Sequence, residues 1–121
     1  MIPKRILIAD DNPLVRNVLR FFLESQTRFK VCGEAVNRLD VIEKARTLSP
    51  DLIVMDFAMP VMNGIEAGSV LKVMLPQVPV VLFTSHDSAM IETHALEAGV
   101  QAVIQKHDIA HLAGHLRALL G

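Results

Sequence analysis

Leu52, Ile53, Val54 and Met55 form an unbroken apolar run that ends at one carboxylate, Asp56, before Met59-Pro60 turns the chain. A strand that is apolar on both faces needs cover on both, the environment of a parallel sheet between two layers of helices. A carboxylate at the carboxyl end of such a strand lies where open α/β sheets bind ligands. Asp also closes turns through its side chain, so Asp56 alone is ambiguous between a turn and a site. The other strand ends decide the matter.

Arg5-Ile6-Leu7-Ile8-Ala9 reads as a first strand running into Asp10-Asp11, with Asn12 as N-cap and Pro13 as first residue of a helix over about residues 13–25. Phe29 to Ala35 is a second strand. Asn37-Arg38-Leu39-Asp40 resembles a capping box, and Ser49-Pro50 stops the helix it opens. The third strand leads to Asp56. Asn63-Gly64 begins a helix that ends near Leu75-Pro76, and Pro79 to Phe83 is a fourth strand running into Thr84-Ser85. Asp87 is the expected cap of a helix reaching Ala98-Gly99, and Gly99 is a natural stop. Ala102 to Gln105 is a fifth strand before Lys106, and a last helix covers about residues 109–120. Regular alternation of this kind predicts an α/β fold: one doubly wound, parallel five-stranded sheet in the flavodoxin-like order 2-1-3-4-5, with five helices and a single domain over residues 1–121.

Composition narrows the class. At 51% hydrophobic and 21% charged residues, the 121-residue chain is globular, not disordered. A net charge of −1 argues against a nucleic-acid surface on this domain. The one cysteine, Cys32, excludes an internal disulfide and reads as a small core residue. No apolar stretch approaches a membrane span and the N-terminus has no signal-peptide core, so the expected location is cytoplasmic.

In the expected strand order four neighbouring strand ends converge, bringing together Asp10, Asp11, Asp56, Thr84 and Lys106; the second strand ends in Glu34-Ala35 and contributes no obvious partner. Two carboxylates about 4 Å apart repel by roughly 4 kcal/mol at an effective dielectric near 20. Three of them beside one lysine call for a hard cation, which suits Mg²⁺ and oxygen ligands rather than zinc. A carboxylate so placed can attack a phosphoryl donor, with Lys106 pairing one phosphoryl oxygen and the Thr84 hydroxyl another. The competing reading is a structural Asp–Lys ion-pair network.

The motifs Ile8-Ala9-Asp10-Asp11, Met55 through Gly64, Phe83-Thr84-Ser85, Ala98-Gly99-Val100 and Ile104-Gln105-Lys106, in that order, resemble the receiver domain of two-component response regulators over nearly the whole chain. The resemblance implies a switch rather than a turnover enzyme. Asp56 would accept phosphate from a histidine kinase or phosphotransfer protein. Asp10, Asp11, Asp56 and the Ala58 backbone carbonyl would hold Mg²⁺, while Thr84 and Lys106 would read the phosphoryl group. The stretches from Asp11 to Arg16 and from Val31 to Ala35 look most like the subclass that often carries a C-terminal helix-turn-helix. Two alternatives stay open: an interaction module whose output ignores phosphorylation, and a Mg²⁺-dependent phosphohydrolase, which the absence of an acid/base carboxylate two residues after Asp56 disfavours.

Some positions depart from the resemblance. Where such domains carry an aromatic three residues before the lysine, this chain has Val103, which has no ring to rotate; His107 replaces the usual proline after the lysine. Positions two residues after Asp56 and Thr84 tune the phosphoryl lifetime, and here they are Ala58 and His86, implying slow-to-moderate self-dephosphorylation. On the first helix Leu14, Val18 and Phe21 lie beside the inward stripe of Val15, Leu19 and Phe22. That is either one broad core face with a stray aromatic or a surface for a kinase, a phosphotransfer protein or a second copy of the chain. His107, His111 and His115 repeat every four residues, which suits a solvated face more readily than a metal site.

Overall fold

The alternation is realised in a computed structural model that describes residues 2–59, 63–86 and 88–121. In chain order the elements are β1 (Arg5–Ala9), α1 (Pro13–Gln26), β2 (Lys30–Ala35), α2 (Arg38–Leu48), β3 (Leu52–Met55), α3 (Gly64–Met74), β4 (Val80–Thr84), α4 (Ala89–Glu97), β5 (Ala102–Gln105) and α5 (Ile109–Leu120). All strand pairs are parallel and the sheet order is β2-β1-β3-β4-β5, as the sequence predicts.

Asparagine side chains start three of the helices. Asn12 Oδ1 accepts from the Leu14 N–H at 2.9 Å with Pro13 opening α1, and Asn63 Oδ1 accepts from the Glu66 N–H at 3.0 Å. Asn37 Oδ1 accepts from the Asp40 N–H at 2.9 Å, and the Asp40 carboxylate reaches back to the Val36 N–H at 3.0 Å, so the expected box closes one residue earlier than its standard form. The cap of α4 differs from expectation: Asp87 lies outside the described residues, and the cap hydrogen bond comes from Ser88, whose hydroxyl accepts from the Ile91 N–H at 3.3 Å. Gly99 ends α4 in the left-handed region at φ +100°, as its position predicts.

The sheet is buried on both sides because helices cover both. Leu19 and Leu23 of α1 and Leu112 and Leu116 of α5 pack on one face against Ile6, Ile8, Val54 and Phe83. Val41 and Ala45 of α2, Ala67 and Leu71 of α3 and Ala95 of α4 pack on the other, against Leu7, Ile53, Met55 and Leu82. Each fully buried leucine or isoleucine contributes about 2 kcal/mol of transfer free energy. Helix α1 is not one broad core stripe. Leu14, Val18 and Phe21 are 72%, 58% and 74% exposed, so its second apolar face stands in solvent. No helix among the described residues is long and apolar enough to cross a membrane.

Cys32 is half-buried, not fully in the core. The β1–β2 pairing slips so that Ile6 faces Val31 and Leu7 faces Gly33, leaving Cys32 as the extra residue with its thiol 3.5 Å from the Ile6 carbonyl. Burial pushes the thiol pKa up, which works against a reactive thiolate.

Candidate functional site

The carboxyl edge of the sheet is held in register by backbone hydrogen bonds that run one residue past the strands. The Asp56 N–H donates to the Ala9 carbonyl at 2.9 Å, the Asp10 N–H to the Ala35 carbonyl at 3.0 Å, and the Lys106 N–H to the Thr84 carbonyl at 2.9 Å. Strand extension thereby fixes where three of the candidate side chains, those of Asp10, Asp56 and Lys106, leave the backbone. Asp10, Asp56 and Thr84 are the buried polar residues among those described, at 1%, 6% and 0% exposure.

Lys106 bridges the two buried carboxylates, with Nζ 2.9 Å from Asp10 Oδ2 and 3.5 Å from Asp56 Oδ2. The other oxygen of Asp10 accepts from the Asn12 N–H at 2.8 Å. Asp11 is exposed at the rim, yet carboxylate oxygens of Asp10, Asp11 and Asp56 all lie within 4.8 Å of one another. Burial and the neighbouring Asp10 charge raise the Asp56 pKa, opposed by Lys106 and by a backbone hydrogen bond from Ala58. For Lys106 burial pulls the other way, but the hydrogen bond to Asp10 and the charges of Asp56 and Asp10 win, and its pKa is raised. Three carboxylates against one ammonium leave an excess of negative charge in a half-open pocket. Ligand oxygens at about 2.1 Å from a Mg²⁺ ion require only small closure from this spacing, so the donor set fits a hard divalent cation.

Thr84 reaches the site's edge but does not bond to the carboxylates. Its hydroxyl accepts from the His86 N–H at 3.1 Å and lies 3.3 Å from His86 Nδ1. The His86 ring meets Phe57 edge-on with centroids 5.1 Å apart, and its carbonyl accepts from Gln105 Nε2 at 3.0 Å. His86 therefore links the loop after Asp56 to the ends of β4 and β5. Val103 is half-buried against the α2–α4 side of the core. Pro60, Val61 and Met62, part of the motif around Asp56, lie outside the described residues.

Three supports escape a reading of the sequence alone. Gly64 sits so close to the residues that follow β3 that a Cβ there would lie 2.5 Å from the Asp56 carbonyl oxygen and 2.8 Å from Phe57 Cα. Arg16 donates to the Asp10 carbonyl at 2.6 Å while pairing Glu34 at 3.0 Å, and Arg20 pairs the other Glu34 oxygen at 2.9 Å. Strand β2 places no side chain in the carboxylate cluster, as expected, but supports it indirectly through Glu34 and the Ala35 carbonyl. The spacing of Arg16 and Arg20, four residues apart on one helix, is the one signal for this that the sequence carries.

A groove of about 230 Å³ adjoins the pocket, lined by the exposed Leu14 and Val18 with Val15, Leu19, Phe83, Ile109 and the stem of Lys106.

Fold and site together define a doubly wound α/β domain with a lysine-bridged carboxylate cluster at the carboxyl edge of its sheet. The response regulator receiver domain family matches residues 6–117, and the chain belongs to that family, a component of two-component signalling. It is 40% identical over 110 residues to a protein-glutamate methylesterase/protein-glutamine glutaminase of Idiomarina loihiensis, covering 88% of this chain and 28% of that protein. It is 39% identical over 104 residues to response regulator protein VraR of Staphylococcus saprophyticus, covering 86% of this chain and 50% of the relative. The chain thus spans half or less of the length of these curated relatives. Among solved structures, a two-component response regulator of the LuxR family from Aurantimonas sp. SI85-9A1 superposes with a TM-score of 0.93 at 30% identity, over 98% of this chain and 86% of that one.

Proposed function

We propose that this domain is a phosphoacceptor switch in which Asp56 takes a phosphoryl group from a phosphohistidine of a kinase or phosphotransfer protein. The supporting observation is the pairing of two buried carboxylates with Lys106 at the carboxyl edge of the sheet. A carboxylate oxygen of Asp56 attacks phosphorus, the P–N bond to imidazole breaks, and the imidazole leaves with its electron pair, giving an acyl phosphate on Asp56. Asp10, Asp11, Asp56 and the Ala58 carbonyl would hold Mg²⁺, which when bound neutralises charge on the transferring phosphoryl oxygens. Lys106, already 3.5 Å from Asp56, pairs one of those oxygens. Burial of Asp56 removes competing water from the nucleophile, and Lys106 opposes the rise in its pKa that burial causes.

Thr84 hydrogen-bonds another phosphoryl oxygen by giving up its contact with His86. That exchange releases His86, which holds Phe57 edge-on and accepts from Gln105. His86 is thus a route from phosphate to the end of β5 in a chain whose Val103 has no ring to swing. His86, two residues after Thr84, is also the residue that would orient the attacking water. His86→Ala is therefore expected to lengthen the phosphoryl lifetime, and an unchanged dephosphorylation rate would remove that water-orienting role from His86. The exposed α1 face and the groove beside Lys106 give the phosphodonor an apolar landing next to the pocket.

Beryllium fluoride, a phosphoryl mimic, tests the site directly by NMR. With Mg²⁺ it should shift the amides around Asp56, Thr84 and Lys106, and a chelator should reverse the shifts. A folded protein whose spectrum does not change would contradict the proposal. The second reading, output independent of phosphorylation, rests on Val103. It predicts those local shifts with none spreading to α4 or α5.

A further inference from the structure

Helix α5 carries a cluster of side chains that the phosphoryl chemistry does not use. His111 and His115, one turn apart, point their Nε2 atoms at each other at 3.1 Å, with ring centroids 4.6 Å apart. On the other side of His111, Nδ1 meets the Asp108 carboxylate at 3.1 Å. Asp108 is the N-cap residue of α5, yet its side chain makes no cap hydrogen bond. An Asp at that position ordinarily accepts from the first-turn N–H groups; here the imidazole engages it instead. In the tautomer in which Nδ1–H donates to this carboxylate, the Nε2 lone pair of His111 faces His115.

Two Nε2 atoms in this relation span the coordination sphere of a metal ion. With metal–nitrogen bonds of about 2.05 Å, a separation of 3.1 Å corresponds to an N–metal–N angle of about 98°, between octahedral and tetrahedral values. Gly114 on the same helix has nothing within 4 Å of where a Cβ would stand, and with Ala118 it leaves an open hollow of about 230 Å³ over the pair. The remaining coordination positions therefore face solvent. His107 takes no part: it precedes Ile109, the first residue of α5, so the apparent repeat of three histidines is a helical repeat of two.

We propose that His111 and His115 chelate a divalent transition-metal ion, with Asp108 as the outer carboxylate that orients His111. Paired imidazoles suit Zn²⁺, Ni²⁺ or Cu²⁺ and not Mg²⁺, so the domain carries two cation sites of opposite preference, all-oxygen at the sheet edge and all-nitrogen on α5. The test is calorimetric titration of Zn²⁺ into the full chain in excess Mg²⁺. One Zn²⁺ should bind per chain. His111→Ala and His115→Ala should each abolish binding, and Asp108→Asn should weaken it by about 10- to 100-fold with helix content unchanged. Asp11→Asn should leave it intact. Zn²⁺ binding that survives both histidine substitutions, that is lost instead in Asp11→Asn, or that takes one ion per two chains would overturn the proposal.

Discussion

The acidic pocket and the α5 histidine pair are both clusters of ionisable side chains, but they are assembled by different physics. Asp10, Asp56 and Lys106 come from three strands and meet because parallel strand ends must meet; backbone hydrogen bonds continued past each strand then fix them, and burial raises what each charge costs. His111 and His115 meet because residues four apart on a helix always do, and they stay at the surface, His111 exposed and His115 half-buried. A cluster built by topology is coupled to the stability of the whole sheet. One built by helical periodicity can be altered at little cost to folding. The polar groups on which a fold depends and those it merely displays are thereby separable by mutation.

The sharpest way to break this contrast is Gly64→Ala. Its Cβ would fall 2.5 Å from the Asp56 carbonyl oxygen, a backbone atom that cannot turn aside, so destabilisation of about 3 kcal/mol is expected in urea unfolding. Lys106→Met comes next, with a loss of about 2 kcal/mol in Mg²⁺-free buffer because Asp10 and Asp56 are left without their counter-charge. Added Mg²⁺ should restore much of that loss.

Asp56→Asn has the opposite sign. Since folding raises the Asp56 pKa above its usual 3.8, the charged carboxylate opposes folding at neutral pH. The substitution should therefore stabilise the protein at pH 7, read as a higher urea midpoint. That gain should shrink as pH falls through the raised pKa and vanish once the carboxyl is protonated in both states. A gain that persisted at low pH would point to a packing effect instead. At the small end, Phe21→Glu on the exposed face of α1 should change stability by less than about 0.5 kcal/mol while weakening phosphotransfer from a protein donor. If Phe21→Glu left protein-donor transfer intact, the α1 face would not be the donor's landing surface.

What was legible in the sequence follows the same division. The unbroken run before Asp56, the doublet Asp10-Asp11 and Lys106 after a strand located the pocket, because strand ends and sheet order are consequences of pattern and chirality. The helical pairing of His111 with His115 was visible as spacing. What was hidden depends on which partner a side chain chooses: Asp108 turning from its cap to His111, the Thr84 hydroxyl held by His86, Glu34 clamping Arg16 and Arg20 behind Asp10. Each of these side chains has other partners within reach of its local sequence, and packing of the finished fold selects among them. The cap of α4 shows this at one residue's distance, with Ser88 making the hydrogen bond the sequence assigns to Asp87.

Intact mass after incubation with acetyl phosphate and Mg²⁺, run beside Asp56→Asn, tests the central claim most directly. A single phosphoryl increment on the native chain, absent from the Asp56→Asn protein and from a sample treated with chelator, is the result expected. No increment on a folded, Mg²⁺-binding protein, or an increment that persists in Asp56→Asn, would contradict the assignment of Asp56 as phosphoacceptor.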